Sequence, residues 1–414
     1  MPKVIIVGAG IVGPVMAIML KRKGYDPIIV ERVQEIEPVG LSLALWPNGL
    51  KVLSTIGQAH TPRAWREGLE FTSDGEHLGG FDQSYFRERY GFPSFGVRRA
   101  ELRHKLVDCA VQEGITVHED WELAEIRELD YGVLAIAKDG REIEASFIVG
   151  CDGLHSATRK WICTKHGVAE PTPDYTGLVT VSVLPWTTTQ ALILQIGGFC
   201  PTSGDLPPAS PCGWYGDGKY IVTYEVDDTT SVWALTMAGE DRRERWRDAE
   251  DVEREKVKIL KDLEDWPAVI REMVASTDSI LGKIGLYDRP SLLPEHWYHG
   301  RCVLVGDAAH PTSPHLGQGA NQGLEDCWCL SQMLPDANGE EDLDVVALGK
   351  AFQRYAEQRQ PRTAALVQGA RAMGQLRVVS GEEACKQRNE TMREMYADKA
   401  AVMARLDNLY SEPF

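Results

Sequence analysis

The sequence predicts an α/β protein in which a mostly parallel sheet is joined by a second, mostly antiparallel sheet and by C-terminal helices. The first observation is a β-branched run at residues 4–7 that leads into a glycine-rich turn and then a helical stretch. The second is residues 171–239, where strand-like runs are joined by turns and not by helices. The third is helical apolar spacing through residues 343–409.

Length and composition limit the class of protein. The 414 residues suffice for two or three domains, and the formal net charge of −17 argues against nucleic acid or an anionic membrane as partner. Nine scattered cysteines without a CxxC pair favour reduced thiols in a cytoplasmic protein. No apolar run approaches the ~18 residues of a membrane span, and a strand at the N-terminus leaves no room for a signal peptide.

The N-terminal strand, turn and helix have the pattern of a dinucleotide site. Gly8 permits a tight turn, Gly10 lets a pyrophosphate approach the backbone, and Gly13 allows close packing of helix and strand. Glu31 ends the next strand, where an acid accepts hydrogen bonds from a ribose. The stretch therefore predicts a Rossmann-like domain for NAD or FAD. A tight turn without a ligand is the alternative.

Further elements follow in order. The sequence predicts a strand and helix across residues 39–56, short strands and loops across 61–95, and a helix from residue 96 with Arg98 and Arg99 at its start. Cations are unfavourable at a helix N-terminus, so these arginines are either solvated or one of them meets an anion.

Two more strands end in glycine or acid, at residues 147–153 and 301–307. A glycine-bearing loop continues to residue 321, and a helix is expected from residue 324. Ligands of open parallel sheets bind outside the carboxyl ends of the strands. We call the segments that follow the three strands the three corners: residues 8–13, 150–153 and 306–307. The three corners would line one crevice. Residues 197–218 are expected to form a long mobile loop, and the C-terminal helical region is expected to be interrupted near Pro361.

The predicted domains are discontinuous. The first comprises residues 1–72, 96–170 and 283–342, the second residues 73–95 and 171–282, and the C-terminal helical segment residues 343–414. Four tryptophans suggest a large, flat, apolar pocket, with core positions as the alternative for most of them: Trp46, Trp186, Trp214 and Trp233.

The chain resembles the single-component (class A) FAD-dependent monooxygenases, a family that includes salicylate and para-hydroxybenzoate hydroxylases. The resemblance covers about residues 4–376 and depends on three motifs. The first is the glycine fingerprint with Glu31. The second is Gly-Cys-Asp-Gly at residues 150–153 with Ser156 and Arg159. The third is Gly-Asp-Ala-Ala-His-Pro at 306–311 with Gly-Gln-Gly-Ala-Asn at 317–321.

The resemblance implies an FAD-binding domain and a role for each motif residue. Gly8, Gly10 and Gly13 would hold the pyrophosphate, with Glu31, followed by Arg32, at the adenosine ribose. Arg99 would reach the phosphate or ribityl region, and Asp307 the ribityl chain. Backbone groups at the pyrimidine end of the flavin would come from Gly317, Gly319, Ala320 and Asn321. Asp152 would support the site or the path of the reductant, although a structural ion pair with Arg159 that caps a helix is an equal alternative.

The implied reaction uses NAD(P)H and O2 and passes through a flavin C4a-hydroperoxide. One oxygen atom would enter an aromatic, heterocyclic or otherwise electron-rich small molecule. Pro314 resembles the family proline beside the peroxide. Tyr215, Tyr224 and His315 are candidates for the group that activates the substrate, while His310 is interpreted as structural.

Other activities remain open on the same fold. They are an epoxidase, a Baeyer–Villiger-type oxygenase, a flavin-dependent reductase or dehydrogenase and, from another class, a non-catalytic FAD-binding scaffold. A metal site at His296, His299 and Cys302 is disfavoured because no fourth ligand has suitable spacing. The expected assembly is a monomer or a homodimer.

Overall fold

The computed structural model describes residues 1–33, 42–59, 63–184, 198–202, 204–238, 244–245, 249–277, 280–337 and 343–414. The helices are α1 (Val12–Arg22), α2 (Pro47–Thr55), α3 (Phe86–Tyr90), α4 (Arg99–Gln112), α5 (Ala157–Lys165), α6 (Ala249–Asp262), α7 (Ala268–Ala275), α8 (Gly319–Met333), α9 (Val345–Arg377), α10 (Glu382–Ala397) and α11 (Lys399–Tyr410). The strands are β1 (Lys3–Val7), β2 (Asp26–Val30), β3 (Ser42–Leu45), β4 (Glu67–Thr72), β5 (His77–Asp82), β6 (Phe95–Arg98), β7 (Thr116–His118), β8 (Leu123–Glu128), β9 (Val133–Ala137), β10 (Glu142–Ala145), β11 (Phe147–Gly150), β12 (Asp174–Leu184), β13 (Gly198–Pro201), β14 (Cys212–Tyr215), β15 (Lys219–Glu225), β16 (Thr230–Ala238), β17 (Glu244–Arg245), β18 (Ile280–Asp288), β19 (Tyr298–His299) and β20 (Cys302–Leu304).

The mostly parallel sheet has the strand order β19-β20-β11-β1-β2-β7. β1 pairs in parallel with β2 and β11, β11 pairs in parallel with β20, and β19 runs antiparallel at the edge. Val4, Ile5 and Ile6 are fully buried, as expected for a central strand with both faces covered. The carboxyl ends of β1, β11 and β20 therefore lie side by side.

The first helix follows directly from its local sequence. Pro14 lies in the first turn of α1, where its missing N–H costs no helical hydrogen bond. Gly24 has a φ of +87°, a conformation that glycine adopts without strain, just beyond the last turn. The helix packs against β1, β2, α4 and α8, which fixes its N-terminus at the carboxyl end of β1.

The second sheet is mostly antiparallel, with the order β17-β18-β12-β16-β15-β14-β4-β5 and β13 paired with β16. β4 pairs in parallel with β14, so residues 67–72, which the sequence assigns to the first domain, contribute to the second sheet. The expectation of a loop at residues 197–218 is wrong for the described part, because β13 and β14 both lie within it. The division into domains otherwise stays a prediction.

Helices α6 and α7 cover one face of the second sheet. Trp214 and Trp233 are buried between this face and the helices, together with Trp266. They belong to the core and not to a flat pocket, whereas Trp186 lies outside the described residues. The other face of the sheet is left to the C-terminal helices and to the loop that follows β20.

The C-terminal segment is helical, as expected, but the interruption near Pro361 is wrong. α9 runs from Val345 to Arg377 with Pro361 inside it. Pro361 is exposed, and buried Phe352, Tyr355 and Val367 anchor the helix on both sides of it. Such packing outweighs the roughly 3 kcal/mol that an internal proline costs a helix. Among the described helices, none is long and apolar enough to cross a membrane.

Candidate cofactor and active site

The glycine turn after β1 is shaped by close backbone contacts. A Cβ at Gly13 would lie 1.9 Å from the carbonyl oxygen of Gly8, and a Cβ at Gly8 would lie 2.6 Å from the carbonyl oxygen of Cys151. Gly8 also has a φ of +105°. A Cβ at Gly10, in contrast, would meet no atom within 4 Å. Gly8 and Gly13 therefore serve packing, whereas the open space at Gly10 is of the kind that a pyrophosphate needs beside the backbone.

Glu31 lies beside this turn at the end of β2. Its Oε2 accepts a hydrogen bond from the N–H of Ala9 at 2.7 Å, and the residue is 9% exposed. Arg103 donates from Nε to the carbonyl oxygen of Ala9 at 2.6 Å and places Nη2 3.7 Å from Glu31 Oε2. Arg32, next in sequence, is exposed. Sequence reasoning missed Arg103, although it lies one helical turn after Arg99 on α4.

The second corner is built around Asp152. This carboxylate accepts hydrogen bonds from Ser156 Oγ at 2.5 Å and from the N–H of Thr158 at 3.0 Å, and Ser156 is the N-cap of α5. Burial raises the pKa of Asp152, and the hydrogen bonds act against that rise. Asp152 thus caps the helix through Ser156 and Thr158 and not through an ion pair with Arg159. Its contact with a cofactor stays a prediction.

Arg159 connects the second corner to the third. It is 1% exposed, donates from Nη1 to the carbonyl oxygen of Ala308 at 2.8 Å, and donates from Nη2 to that of Leu154. It also pairs with Glu170 at 3.1 Å. A buried guanidinium with these partners fixes the loop after β20 against the start of α5.

Asp307 follows β20 in the third corner. Solvent reaches its side chain, but the surrounding protein desolvates the carboxyl and raises its pKa, against the effects of His310, Arg99 and Arg159. The parallel pairing of β1, β11 and β20, the close approach of Gly8 to the carbonyl group of Cys151, and the hydrogen bond from Arg159 to Ala308 bring the three predicted corners to one edge of the sheet.

His310 has the structural role that the sequence analysis assigned to it. Its Nε2 lies 2.5 Å from Asp326 Oδ2, and the same oxygen accepts a hydrogen bond from the N–H of Gly306 at 2.9 Å. Arg359 donates from Nε to the other oxygen of Asp326 at 2.6 Å and from Nη1 to Glu325 at 2.5 Å. Burial alone would raise the pKa of Asp326, but His310 and Arg359 outweigh it and lower the pKa. This buried network was not visible in the sequence.

The helix after the glycine loop begins earlier than expected. α8 starts at Gly319 and not at residue 324, so Gly319, Ala320 and Asn321 form its first turn. The Asn321 side chain accepts from the N–H of Trp46 at 3.1 Å and donates to the carbonyl oxygen of Gly317 at 2.9 Å. The backbone N–H groups of a first turn have no helical partner, and the helix dipole favours electron-rich groups there.

The three catalytic candidates have different surroundings. Pro314 is exposed, whereas His315 is 6% exposed and has its pKa lowered to about 3 by burial and by Arg377. The hydroxyl of Tyr224 lies 2.6 Å from Ser42 Oγ, and burial raises its pKa to about 12. Tyr224 is therefore protonated at neutral pH, and His315 is neutral.

The histidine pair that suggested a metal has a third neighbour. The ring of His166 lies 5.2 Å from that of His296 and 5.0 Å from that of His299. Across the described part of the chain, however, no group of three or more His, Cys, Asp or Glu side chains is arranged to hold a metal ion.

Comparison with known proteins adds independent information. A family model described as "FAD binding domain" matches residues 1–370. The chain belongs to this FAD-binding family. Its sequence is 28% identical over 412 residues to a 3-amino-4-hydroxybenzoate 2-monooxygenase of Streptomyces cremeus, covering 94% of this chain and 91% of the relative. It is 25% identical to a 3-hydroxybenzoate 6-hydroxylase of Klebsiella oxytoca, covering 92% and 90% of the two chains.

Solved structures show the same fold. Klebsiella pneumoniae HpxO, complexed with FAD and uric acid, aligns with a TM-score of 0.83 at 23% identity over 100% of this chain and 97% of that one. A salicylate hydroxylase substrate complex aligns with a TM-score of 0.73 at 17% identity over 98% and 97% of the two chains. The family model and the curated relatives together identify the protein as an FAD-dependent monooxygenase of class A, as the sequence motifs indicated.

The residues present fit FAD. Gly10 leaves space beside the N-terminus of α1, Glu31 presents a buried carboxylate at the end of β2, and Asp307 presents an accessible one after β20. The first turn of α8 adds backbone donors at the far end of the same edge. An extended dinucleotide lying along the carboxyl ends of β2, β1, β11 and β20 would meet each of these groups in turn.

Proposed function

We propose that this enzyme hydroxylates a small planar aromatic or heterocyclic substrate, with NAD(P)H as reductant and O2 as the oxygen source. The single observation that carries the proposal is the convergence of the three corners on the carboxyl edge of the parallel sheet. Relatives named for hydroxybenzoates and a solved neighbour bound to uric acid support a substrate of this size and shape.

The chain's own residues would divide the binding of FAD. We assign the pyrophosphate to Gly8, Gly10 and Gly13, the adenosine ribose to Glu31 with Arg32 near it, and the ribityl chain to Asp307. Arg99 would face the phosphates or ribityl hydroxyls, and Asp152 would keep α5 in place behind them. Backbone N–H groups of residues 317–321 would bind the pyrimidine end of the ring. When bound, FAD accepts a hydride from NAD(P)H and activates O2; the protein orients the ring and excludes water.

The catalytic candidates would act on the substrate side. His315, neutral and buried, can hydrogen-bond a polar group without adding charge, and Pro314 would shape the space in front of the ring. Tyr224 would act as a neutral hydroxyl, since a pKa of about 12 keeps its proton in place. None of them need be a strong base if the substrate is already electron-rich.

Cytoplasmic location follows, as a proposal, from nine cysteines that are all free thiols in the structure. We further propose that the enzyme acts as a monomer or homodimer on a freely diffusing substrate.

The test is oxygen incorporation. Purified holoenzyme is incubated with NADH or NADPH, a panel of hydroxylated benzoates and purines, and ¹⁸O2. Substrate-dependent oxidation of the nicotinamide with one labelled oxygen atom in the product supports the proposal, and the position of the label separates a phenol from an epoxide or a lactone. Product reduced without label would indicate a flavin-dependent reductase and refute the assignment. The Asp307→Asn variant, which we expect to bind FAD more weakly, is the matched control.

A further inference from the structure

The last turn of α11 and the residues that follow it contact both α2 and α8. We call this stretch, residues 407–414, the 407–414 segment. Tyr410, in the last turn of α11, is buried in one aromatic cluster with Trp46, which lies at the start of α2. Beyond the helix, the ring centre of Phe414 lies 4.7 Å from that of Trp328 on α8. Neither FAD nor substrate is assigned a contact with this segment.

Two cations from other helices bind the carbonyl groups of the segment. Lys51 on α2 is 6% exposed and donates from Nζ to the carbonyl oxygens of residues 410 and 411 at 3.1 and 2.5 Å. Arg362 on α9 donates to the carbonyl oxygens of residues 408 and 409 at 2.5 and 2.9 Å. The last carbonyl groups of a helix have no partner within it, and the helix dipole favours cations there. Side chains of α2 and α9 therefore hold the end of α11 in place.

The first connection from the segment to the flavin site is made by Trp46. The ring of Tyr410 stacks on that of Trp46, with the ring centres 5.2 Å and the ring planes 14° apart. The backbone N–H of Trp46 donates to the Asn321 side chain at 3.1 Å, and Asn321 in turn donates to the carbonyl oxygen of Gly317 at 2.9 Å. A Cβ at Gly317 would lie 3.0 Å from Nε1 of Trp46, so the indole also packs directly against the loop.

The second connection is a chain of buried hydrogen bonds. Arg362 also donates to both carboxylate oxygens of Glu325, at 2.9 and 3.0 Å. Asn48 Nδ2 donates to Glu325 Oε1 at 2.6 Å and to Gln318 Oε1 at 2.9 Å. Asn48, Gln318 and Glu325 are at most 2% exposed, so bulk solvent does not compete for these bonds. Three side chains, those of Asn48, Glu325 and Arg362, thus link Gln318 to the 407–414 segment.

The loop that both connections reach, residues 317–321, has little rigidity of its own. Two of its five residues are glycines, and Gly317 has a φ of +62°. Glycine restricts the backbone less than any other residue. The contacts of the Asn321 and Gln318 side chains therefore fix where the free N–H groups of the loop point.

From these contacts we infer that Tyr410 and Arg362 are positioning residues for the isoalloxazine ring of the flavin. The 407–414 segment fixes Trp46 and Glu325, these side chains fix the loop at residues 317–321, and the loop fixes the pyrimidine end of the ring. Loss of the contacts at the segment would loosen the ring and leave the parallel sheet and the adenosine end of the FAD site intact. The inference rests on the proposed function, which assigns the pyrimidine end to this loop.

The variants separate the contacts of the segment from the stability of its helix. Tyr410→Leu removes the ring that stacks on Trp46, whereas Tyr410→Phe keeps it. Lys51→Met removes a cation that binds the end of α11 and leaves Tyr410 and Trp46 themselves unchanged. The matched control is Val402→Ala, which removes buried apolar volume from the same helix two turns earlier.

Three measurements on full-length holoenzyme need no turnover. Hydrogen–deuterium exchange, read on peptides that cover residues 313–323, reports the loop directly. The reduction potential of the bound flavin, measured against a dye of known potential, reports the ring, because free N–H groups and the N-terminus of α8 favour the electron-rich reduced form. Urea unfolding reports the stability of the whole protein.

Tyr410→Leu should speed exchange in the loop peptides at least about fivefold and leave peptides of β1 and β11 at the wild-type rate. It should weaken binding of reduced relative to oxidised FAD about tenfold, which lowers the potential of this two-electron couple by about 30 mV. Lys51→Met should speed loop exchange about threefold and lower the potential less, so the inference is still tested if Tyr410→Leu does not fold. Tyr410→Phe should match wild type, and Val402→Ala should lower only the stability.

Two outcomes would overturn the inference. In the first, neither Tyr410→Leu nor Lys51→Met changes loop exchange or the potential. In the second, Val402→Ala changes both as much as Tyr410→Leu does, because the segment would then act through stability alone. Failure of the proposed function is distinguishable: the expected shifts without ¹⁸O incorporation by wild-type enzyme would refute the hydroxylase proposal alone. Labelled product from an enzyme whose loop and potential do not respond to Tyr410 would refute the positioning role alone.

Discussion

Substitution of Gly10 and Gly13 by alanine separates folding from cofactor binding within one turn. A Cβ at Gly13 would lie 1.9 Å from the carbonyl oxygen of Gly8, a backbone atom that cannot move without displacing β1. A Cβ at Gly10 would meet no protein atom within 4 Å, and Gly10 is not among the glycines with positive φ. If that space belongs to a pyrophosphate, the two variants fail in different ways.

The magnitudes follow from these contacts. Overpacking costs about 1–3 kcal/mol, and a clash with backbone places Gly13→Ala at the upper end or beyond. Gly10→Ala meets no obstacle and reduces the freedom of the unfolded chain, so it should leave the stability of the apoprotein unchanged or raise it by up to about 1 kcal/mol. For FAD, a methyl group in the path of the pyrophosphate should weaken binding at least about a hundredfold, about 2.8 kcal/mol.

The assay needs two measurements on deflavinated protein: urea unfolding followed by circular dichroism, and titration with FAD followed by quenching of flavin fluorescence. Wild-type apoprotein prepared in the same way is the reference. Gly10→Ala should unfold at the wild-type urea concentration and bind FAD poorly, while Gly13→Ala should unfold earlier. Wild-type FAD affinity in Gly10→Ala would refute the assignment of this turn to the pyrophosphate.

Three further predictions use the same methods. Arg359→Met removes the cation that the buried carboxylates of Glu325 and Asp326 share, leaving them with Arg362 and His310. It should destabilise the fold by about 3–5 kcal/mol in urea unfolding, whereas exposed Arg354→Met should stay within about 0.5 kcal/mol. Asp307→Asn should weaken FAD binding about tenfold in the fluorescence titration without lowering apoprotein stability, because only the charge-assisted bond is lost. His315 has a pKa of about 3 in the folded protein, so its imidazole is protonated at a lower pH there than in the unfolded chain. Stability should therefore fall as the pH drops below about 6.5, and between pH 7 and 5 the wild type should lose about 2 kcal/mol more than His315→Gln; equal losses would contradict this.

The sequence predicted the cofactor-binding elements because their signals are local. Each corner is a β-branched strand followed within a few residues by glycine or acid, and the conformations of Gly8, Gly24 and Gly317 follow from the turns that they occupy. Parallel pairing then brings the corners together by a general rule of such sheets. The positions of Glu31 and Asp307 could be predicted for the same reason.

The start of α8 could not be predicted, because a run with two glycines reads as loop. The structure supplies the reason for the second one: a Cβ at Gly323 would lie 2.5 Å from a methyl group of Val12, so close packing of α1 on α8 requires a poor helix former there. Pro361 led to the opposite error, because an interruption was predicted where the helix α9 continues. In both cases contacts between distant segments override local propensity.

The buried polar groups were also beyond sequence reasoning. The network of Glu325, Asp326 and Arg359 joins two helices, and the mutually interacting side chains of Glu70, Tyr215 and Arg377 come from three separate elements. No spacing rule links such residues, since their proximity depends on the packing of the whole chain. Only Tyr215 and His315 were singled out beforehand, as candidate substrate contacts, and that role stays a proposal.

The strand order of the parallel sheet has a consequence for production of the enzyme. β11 gains its neighbour β20 only when residues 302–304 have been synthesised, long after β1, β2 and β11 have left the ribosome. Until then an apolar strand edge is available to other nascent chains, a recognised source of aggregation. Lower expression temperature and ample chaperone capacity should therefore raise the yield of active holoenzyme more than added riboflavin does. The reason is that the FAD-binding site is incomplete until β20 pairs with β11.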